Sequence, residues 1–289
     1  MLKGLKQIFH RIAIMPKPRW ISAIIRQLVL WFVPKRLRVN GITYVFNPDD
    51  YLLAGVMFLG LYEKSERKLF AELIEPGDLV IDIGANIGIF TGIAAQRTGP
   101  TGKVISFEPE PENAGYLQQM LTLNQLQNVR LESLGIADRK STFRLYLSKE
   151  NKGDHRLEPS EEARESIEIS TVALDQYLHG ELPRVIKMDI QGAEGLAIQG
   201  MTETLRQMPE GAVMMEFWPY ALRRAGCDPG TILEKFTASG FRGFEIDTIK
   251  DTVQAAEPTH LLAMETEDES ANLLFLKGET FRDRILQKL

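Results

Sequence analysis

Val80-Ile81-Asp82-Ile83-Gly84-Ala85-Asn86-Ile87-Gly88 sets a carboxylate two residues ahead of a glycine-spaced loop. Glycines at 84 and 88 allow a sharp turn and let backbone N–H groups approach a ligand. A helix starting just after the loop adds the positive end of its dipole. Glu108, in Phe107-Glu108-Pro109, follows Asp82 by 26 residues. An acidic residue at about that distance hydrogen-bonds ribose hydroxyls in nucleotide-binding folds. The pairing implies a ligand containing a nucleoside; the bland reading is a glycine turn that binds nothing. The loop is neither G-x-G-x-x-G nor a P-loop, since no Gly-Lys-Ser/Thr closes it. Asp82 is poor company for a pyrophosphate. It suits a ligand with an ammonium group, such as the methionine part of S-adenosylmethionine.

A second group of chemical residues lies further on. Lys187 and Asp189 are two apart in a buried strand and so share one face of it. Charges there are expensive unless paired or used. Either they form an ion pair that orients the Gly192 turn, or Asp189 acts at the strand's carboxyl end as general base or substrate orienter. Glu194 opens the next helix, where a carboxylate complements the dipole. Glu216 precedes Trp218-Pro219 and faces the same crevice or its rim. Asp189 and Glu216 could alternatively hold a Mg²⁺ that lowers the pKa of a substrate hydroxyl. His155, in the polar segment 148–166, is either a surface residue or a base carried on a lid, imidazole being poised to titrate near neutrality. His10, His179 and His260 have no partner motif.

These residues need a scaffold, and the pattern supplies one. Residues 64–74, 89–97, 112–124, 193–208 and 230–239 read as helices. Residues 79–83, 103–107, 129–137, 184–190, 212–218, 241–246 and 272–277 read as strands, mostly continuous apolar runs suited to a buried sheet. Their alternation predicts βαβ units: a mostly parallel, doubly wound sheet with helices on both faces. Residues 143–147 and 167–172 alternate like an antiparallel pair joined by the long loop.

In this frame the chain resembles the FkbM-type S-adenosylmethionine-dependent methyltransferases over residues 60–220. The resemblance runs through Gly60-Leu61-Tyr62-Glu63, Pro76-Gly77-Asp78, the Asp82–Gly88 loop, Phe107-Glu108-Pro109, Asn124, Gly135-Ile136-Ala137-Asp138 and Leu174-Asp175. It ends on Ile186-Lys187-Met188-Asp189-Ile190-Gln191-Gly192-Ala193-Glu194, the most specific segment. Gln191 stands where the family often has an acid. The resemblance implies a Rossmann-like class I methyltransferase fold. It places Asp82, Gly84, Asn86 and Gly88 on the methionine side of the cofactor, with Glu63 a further candidate there or a plain helix-start carboxylate. Glu108 would hold the ribose, Phe107 would flank the ring, and Ile136, Ala137 and Asp138 would lie near the adenine. The product would be S-adenosylhomocysteine. The implied reaction is O-methylation of a small molecule, sugar or glycolipid. The alternatives are an N-methyltransferase, a protein or RNA methyltransferase, and, in another class, a non-catalytic cofactor-binding protein or membrane-surface scaffold. The Asp/Asn-Pro-Pro-Tyr motif of amino-group methylation in bases is missing after Lys187, where Asp189-Ile190-Gln191-Gly192 stands.

Charge divides the chain. Residues 1–48 hold nine Lys/Arg and no acid, while the other 25 bases and all 39 acids leave −14 on residues 49–289. This predicts a basic helical arm over 1–48 and a methyltransferase domain over 49–289. An acidic domain disfavours a nucleic-acid substrate. The arm either packs on that domain or lies on an anionic membrane surface, with Trp20, Ile24, Ile25, Leu28, Trp31 and Phe32 on one helical face. Its apolar stretch, 20–33, is shorter than the ~20 residues a membrane span needs. The single Cys227 excludes an intrachain disulfide and a Cys-rich zinc site, and suits a reducing, cytoplasmic setting.

Overall fold

The computed structural model describes Trp31 and residues 34–47, 50–60, 62–148, 153, 155–157 and 165–288. The expected helical face at 20–32 lies, but for Trp31, outside the described residues. The described chain begins with a hairpin, Arg36–Val39 (β1) and Ile42–Val45 (β2). Asn40-Gly41 turns it with φ of 49° and 90°, the left-handed pair that a two-residue hairpin turn requires. Helices Tyr51–Phe58 (α1) and Lys64–Leu73 (α2) follow.

The βα alternation then runs Leu79–Ile83 (β3), Ile89–Thr98 (α3), Lys103–Phe107 (β4), Pro111–Leu123 (α4), Val129–Glu132 (β5). Gly135–Ile136 (β6), Ser141–Leu147 (β7) and Glu165–Val172 (β8) form a separate three-stranded sheet in the order β6-β8-β7. Leu174–Leu178 (α5), Val185–Met188 (β9), Glu194–Gln199 (α6), Thr202–Gln207 (α7) and Gly211–Phe217 (β10) continue the alternation. Pro219–Arg224 (α8), Pro229–Ala238 (α9), Arg242–Asp247 (β11), Thr252–Ala255 (β12), Pro258–Leu262 (α10), Ala271–Lys277 (β13) and Glu279–Lys288 (α11) complete it.

The main sheet has the order β12-β11-β13-β10-β9-β3-β4-β5. The strands from β10 to β5 run parallel, and β13 enters antiparallel between β10 and β11. Successive residues of β3 and β9 feed two different cores, Ile81, Ile83, Ile186 and Met188 on one face and Val80 and Val185 on the other. Helices α5, α6, α8 and α9 cover the first face, and α2, α3 and α11 the second. This is the doubly wound, Rossmann-like sheet expected from the pattern. The order reverses between β3 and β9, the switch point where ligands bind in such sheets.

Three expectations are corrected. The helical reading of residues 1–48 fails over 36–45, where the hairpin shares a core with the domain: Ile42, Tyr44 and Phe46 pack with Ile89, Leu117 and Met120. The strand expected at 129–137 is two strands in two sheets, β5 beside β4 and β6 beside β8. The helix expected at 193–208 breaks at Gly200, whose Cα lies so close to the Ala137 carbonyl that a Cβ would sit 1.9 Å from its oxygen. The chain restarts as α7 because the Asp175 carboxylate accepts from Glu203 N (3.0 Å) and Thr204 N (2.7 Å). No helix among the described residues is long and apolar enough to cross a membrane.

Asn124 ties the hairpin to the domain. Its Oδ1 accepts from Thr43 N (2.8 Å), while Nδ2 donates to Thr43 O (2.8 Å) and Met120 O (2.7 Å). Asn124→Ala should cost about 1–3 kcal/mol, the penalty for stranding partly buried backbone groups. Urea unfolding measures it, and an unchanged midpoint would contradict the tether.

Candidate active site

A cavity of about 410 Å³ opens beyond the carboxyl ends of β3, β4 and β9. Volumes of ~300–1,000 Å³ are typical of small-molecule sites. Its wall carries the carboxyl groups of Glu63, Asp82, Glu108 and Asp189. Apolar side chains, among them Leu134, Ile136, Leu145 and Ile169, make up much of the rest.

The loop after β3 turns through three left-handed residues, Gly84 (φ 79°), Asn86 (φ 51°) and Gly88 (φ 90°). Its N–H groups face inward. Gly84 N and Ala85 N donate to Phe107 O at 2.9 and 3.0 Å, and Asn86 N donates to Glu108 Oε2 at 2.7 Å. These amides are therefore engaged within the protein, while Asn86 lines the cavity. Gly84 is needed for packing, since a Cβ there would lie 2.0 Å from Asp189 O. Gly88 is buried against α4, where a Cβ would meet Leu117 and Met120 at 2.2 and 2.5 Å, and it does not line the cavity.

Glu108 is buried and anchored, with Oε2 on Asn86 N and Oε1 accepting from Glu110 N at 2.9 Å. Each oxygen keeps a further lone pair for a hydroxyl in the cavity. Burial pushes its carboxyl up to about 7 despite these two amides. Asp82 accepts from Thr91 Oγ1 at 2.6 Å, and burial raises it to about 6.

Asp82 and Lys187 are register partners on adjacent strands. Lys187 is buried, with Nζ 3.4 Å from Asp189 Oδ2 and 4.8 Å above the Phe90 ring. Burial alone would lower its pKa, but Asp189, Glu63, Asp82 and Glu216 together raise it above its ordinary value. Glu63, at the left-handed start of α2 (φ 39°), is raised to about 8 by burial, with Lys187 opposing. The neighbouring Tyr62 hydroxyl, hydrogen-bonded to Glu63, is also pushed well up by burial.

Gln191 joins the two carboxylates beyond Lys187. Its Nε2 donates to Asp189 Oδ1 at 2.8 Å and to Glu216 Oε2 at 3.0 Å. Burial, then Asp189, raises the Glu216 carboxyl. An N–H donor between Asp189 and Glu216 does not fit a shared Mg²⁺, and no cluster of three potential ligands exists among the described residues. Glu194 points away from the cavity and holds the turn, accepting from Gly192 N (2.9 Å) and Ile190 N (3.3 Å).

His155 reaches the cavity because Arg156 pairs with Tyr146 along the edge of β7. Its Nδ1 accepts from Ser148 N at 3.0 Å. A nitrogen that accepts an amide N–H carries no proton, so the neutral ring bears its hydrogen on Nε2. In this arrangement the Nδ1 lone pair of His155 is engaged by Ser148 N, and the imidazole lies on the cavity wall.

The structure thus gathers Glu63, Asp82, Gly84, Asn86, Phe107, Glu108, Ile136, His155, Lys187 and Asp189 around one cavity. The Phe107 ring is wholly buried edge-on against Tyr177, so its carbonyl serves the loop while the ring serves the core. Ala137 is buried outside the cavity, and Asp138 pairs with Arg139. Tyr62, Asn113 and Gln191 also line the site and were not assigned from sequence. Gln191 could have been found as the polar residue inside the Asp189–Glu194 turn; Tyr62 and Asn113 carry no such signal.

Residues 82–253 match the model of the methyltransferase FkbM domain. The chain belongs to that family. The matched span contains every cavity residue above except Tyr62 and Glu63. This FkbM-domain chain is similar to the hexuronic acid methyltransferase AglP of Haloferax volcanii, with 28% identity over 179 residues. The match covers 58% of this chain and 64% of that protein, just under two thirds of the relative's length. Among solved structures it is similar to an O-methyltransferase from Thermotoga maritima (13% identity, TM-score 0.43, 84% of this chain and 77% of that one). It is also similar to a precorrin-6y C5,15-methyltransferase from Geobacter metallireducens (13% identity, TM-score 0.42, 74% and 89%). Likenesses this remote add nothing to what the strand order already establishes.

Raised carboxyls give the site a pH signature. Between pH 4.5 and about 8 the unfolded chain ionises Glu63 while the folded chain keeps it protonated, so its contribution to stability is lost as pH rises through that window. Glu63→Gln lacks this slope. Its melting temperature relative to wild type should therefore climb from pH 5 to pH 8, and a difference independent of pH would contradict the raised carboxyl.

Proposed function

We propose that this chain is an S-adenosylmethionine-dependent methyltransferase that methylates a hydroxyl on a sugar or sugar-bearing small molecule. The observation that carries the reading is a carboxylate-walled cavity at the switch point of an FkbM-family fold. A cationic ligand suits that wall. Asn86 Oδ1, buried with no hydrogen-bond partner among the described residues, would accept from an ammonium donor. Asp82 would complement the same charge, Glu63 would ionise against it as the cation enters, Glu108 would take the ribose hydroxyls, and Ile136 and Leu134 would pack on the adenine. The hydroxyl acceptor follows the hexuronic acid methyltransferase as a relative.

When bound, S-adenosylmethionine supplies a sulfonium-activated methyl group and leaves as S-adenosylhomocysteine. The protein must align the acceptor oxygen and remove its proton. Asp189 is the cavity carboxylate placed to take that proton, with Lys187 fixed beside one oxygen and Gln191 holding the other. His155, a donor through Nε2, would orient rather than deprotonate. The basic N-terminal residues remain candidates for peripheral contact with an anionic surface, and a cytoplasmic setting is part of the same proposal.

Methyl transfer is tested with deuteromethyl-labelled cofactor and a panel of sugar glycosides, read by mass spectrometry. Wild type should label a hydroxyl. Asp189→Asn should lose about 10²–10⁴ in turnover, the usual worth of a general base, while cofactor affinity stays within a few-fold. Undiminished turnover in Asp189→Asn would remove it from the mechanism.

A further inference from the structure

Four carboxyls share one ammonium ion at the cofactor cavity. Asp189, Glu63, Asp82 and Glu216 all act on Lys187, and no other lysine or arginine lines that wall among the described residues. The adjoining cavity is lined by Arg156 and Arg224 instead, so the acid excess is local.

Three of the four acids accept from fixed donors. Asp82 accepts from the hydroxyl of Thr91 at 2.6 Å and from its backbone N–H. Asp189 accepts from Gln191 Nε2 at 2.8 Å and lies 3.4 Å from Lys187 Nζ. Glu216 accepts from Gln191 Nε2 at 3.0 Å. Hydrogen bonds of that sense favour an ionised carboxylate. Glu63 differs, since its side-chain partner is the Tyr62 hydroxyl. A phenol can donate to a carboxylate or accept from a carboxylic acid, so it serves both protonation states of Glu63 in place.

The backbone also sets Glu63 apart. Its carbonyl accepts from Arg67 N at 2.8 Å and so starts α2, yet its carboxyl makes no bond to the helix amides, as a capping acid would. Its φ of 39° is left-handed, uncommon for a residue with a side chain, and the side chain lies on the cavity wall. Around it, Lys187 on β9 favours the ionised form, while Asp189 on β9 and Glu66 on α2 oppose it. Asp50, ahead of α1, acts on Tyr62, and Asp82 on β3 stands beside Lys187. Burial outweighs Lys187 and keeps the Glu63 carboxyl protonated up to about 8.

We infer that Glu63 reads the charge at the cofactor sulfur: it releases a proton when S-adenosylmethionine enters, regains one when S-adenosylhomocysteine is formed, and so favours donor over product. The inference rests on the methyltransferase reading and adds how the site tells the two apart. They differ by one methyl group and one positive charge, and both keep the ammonium, the carboxylate and the ribose. Methyl transfer breaks the S–CH₃ bond and forms the O–CH₃ bond. Sulfur keeps the bonding pair and loses its charge, and the hydroxyl proton goes to Asp189. Glu63 then takes up that proton and leaves Asp189 ionised again. The net charge in the cavity is the same before and after.

Calorimetry tests this without turnover. S-adenosylmethionine and S-adenosylhomocysteine are titrated into the protein at about pH 6.5 and pH 7.5, in phosphate and in imidazole, whose different heats of ionisation report the protons exchanged. At the lower pH, wild type should release close to one proton more on binding S-adenosylmethionine. The affinity ratio of the two ligands should rise close to tenfold between the two pH values, the slope of a one-proton linkage. Asp82 is mostly ionised in that window, and Glu108 faces the ribose of both ligands and cancels in the ratio. Glu63→Gln should lose both the proton difference and that slope, and titration of the ligands' own amines is common to the two proteins. Equal proton release for both ligands in wild type, whatever the stability of the variant, would overturn the role of Glu63 and leave the methyltransferase reading standing. So would a proton difference that persists in Glu63→Gln. If S-adenosylmethionine does not bind wild type, the methyltransferase reading falls and this role with it.

Discussion

Lys187 is the charge on which the crevice depends. It stands in the middle of the sheet, beside Asp82 across the strand and Asp189 two residues on, with Glu63 and Glu216 contributing to the same field. Four carboxylates around a desolvated pocket would repel one another. The ammonium ion, held over Phe90, offsets part of that repulsion. Breaking one partner out of such a buried set costs about 3–5 kcal/mol, because the remaining charges stay desolvated. Glu63, Asp82 and Glu108 nevertheless keep carboxyls raised chiefly by burial. A cation brought into the cavity would favour their ionised forms.

The turn after β9 converts this field into geometry. Glu194 accepts both Gly192 N and Ile190 N, and Gly84 lets the Asp189 carbonyl come within a distance no side chain would permit. Gln191 then bridges Asp189 and Glu216 with one amide nitrogen. A neutral donor between two carboxylates does what an acid in that place could not do without taking a proton. Gln191 is thereby the residue that lets these two carboxylates lie together.

Much of this was legible in the sequence. Asp82, Glu108, Lys187 and Asp189 stand at strand ends, and strand ends follow from apolar runs and their flanking glycines. The Asn40-Gly41 hairpin was equally legible as a turn between alternating residues, but the basic, acid-free segment drew the reading toward an arm. Other features depended on contacts far apart in the chain. Nothing local shows that Gly88 packs on α4, that the loop amides turn inward to Phe107 and Glu108, or that Ser148 N meets His155 Nδ1. The break at Gly200 depends on Ala137, and the restart of α7 on Asp175. The charge asymmetry also gains detail: the acidic domain gathers five carboxyl groups around one cavity and two arginines around the next.

Calorimetric titration of S-adenosylmethionine into the wild-type chain and Glu108→Ala tests the central claim most directly. One site per chain in wild type, weakened about tenfold or more by the substitution, is the result expected of a carboxylate that holds the ribose. No binding to wild type, or equal binding to both proteins, would contradict it.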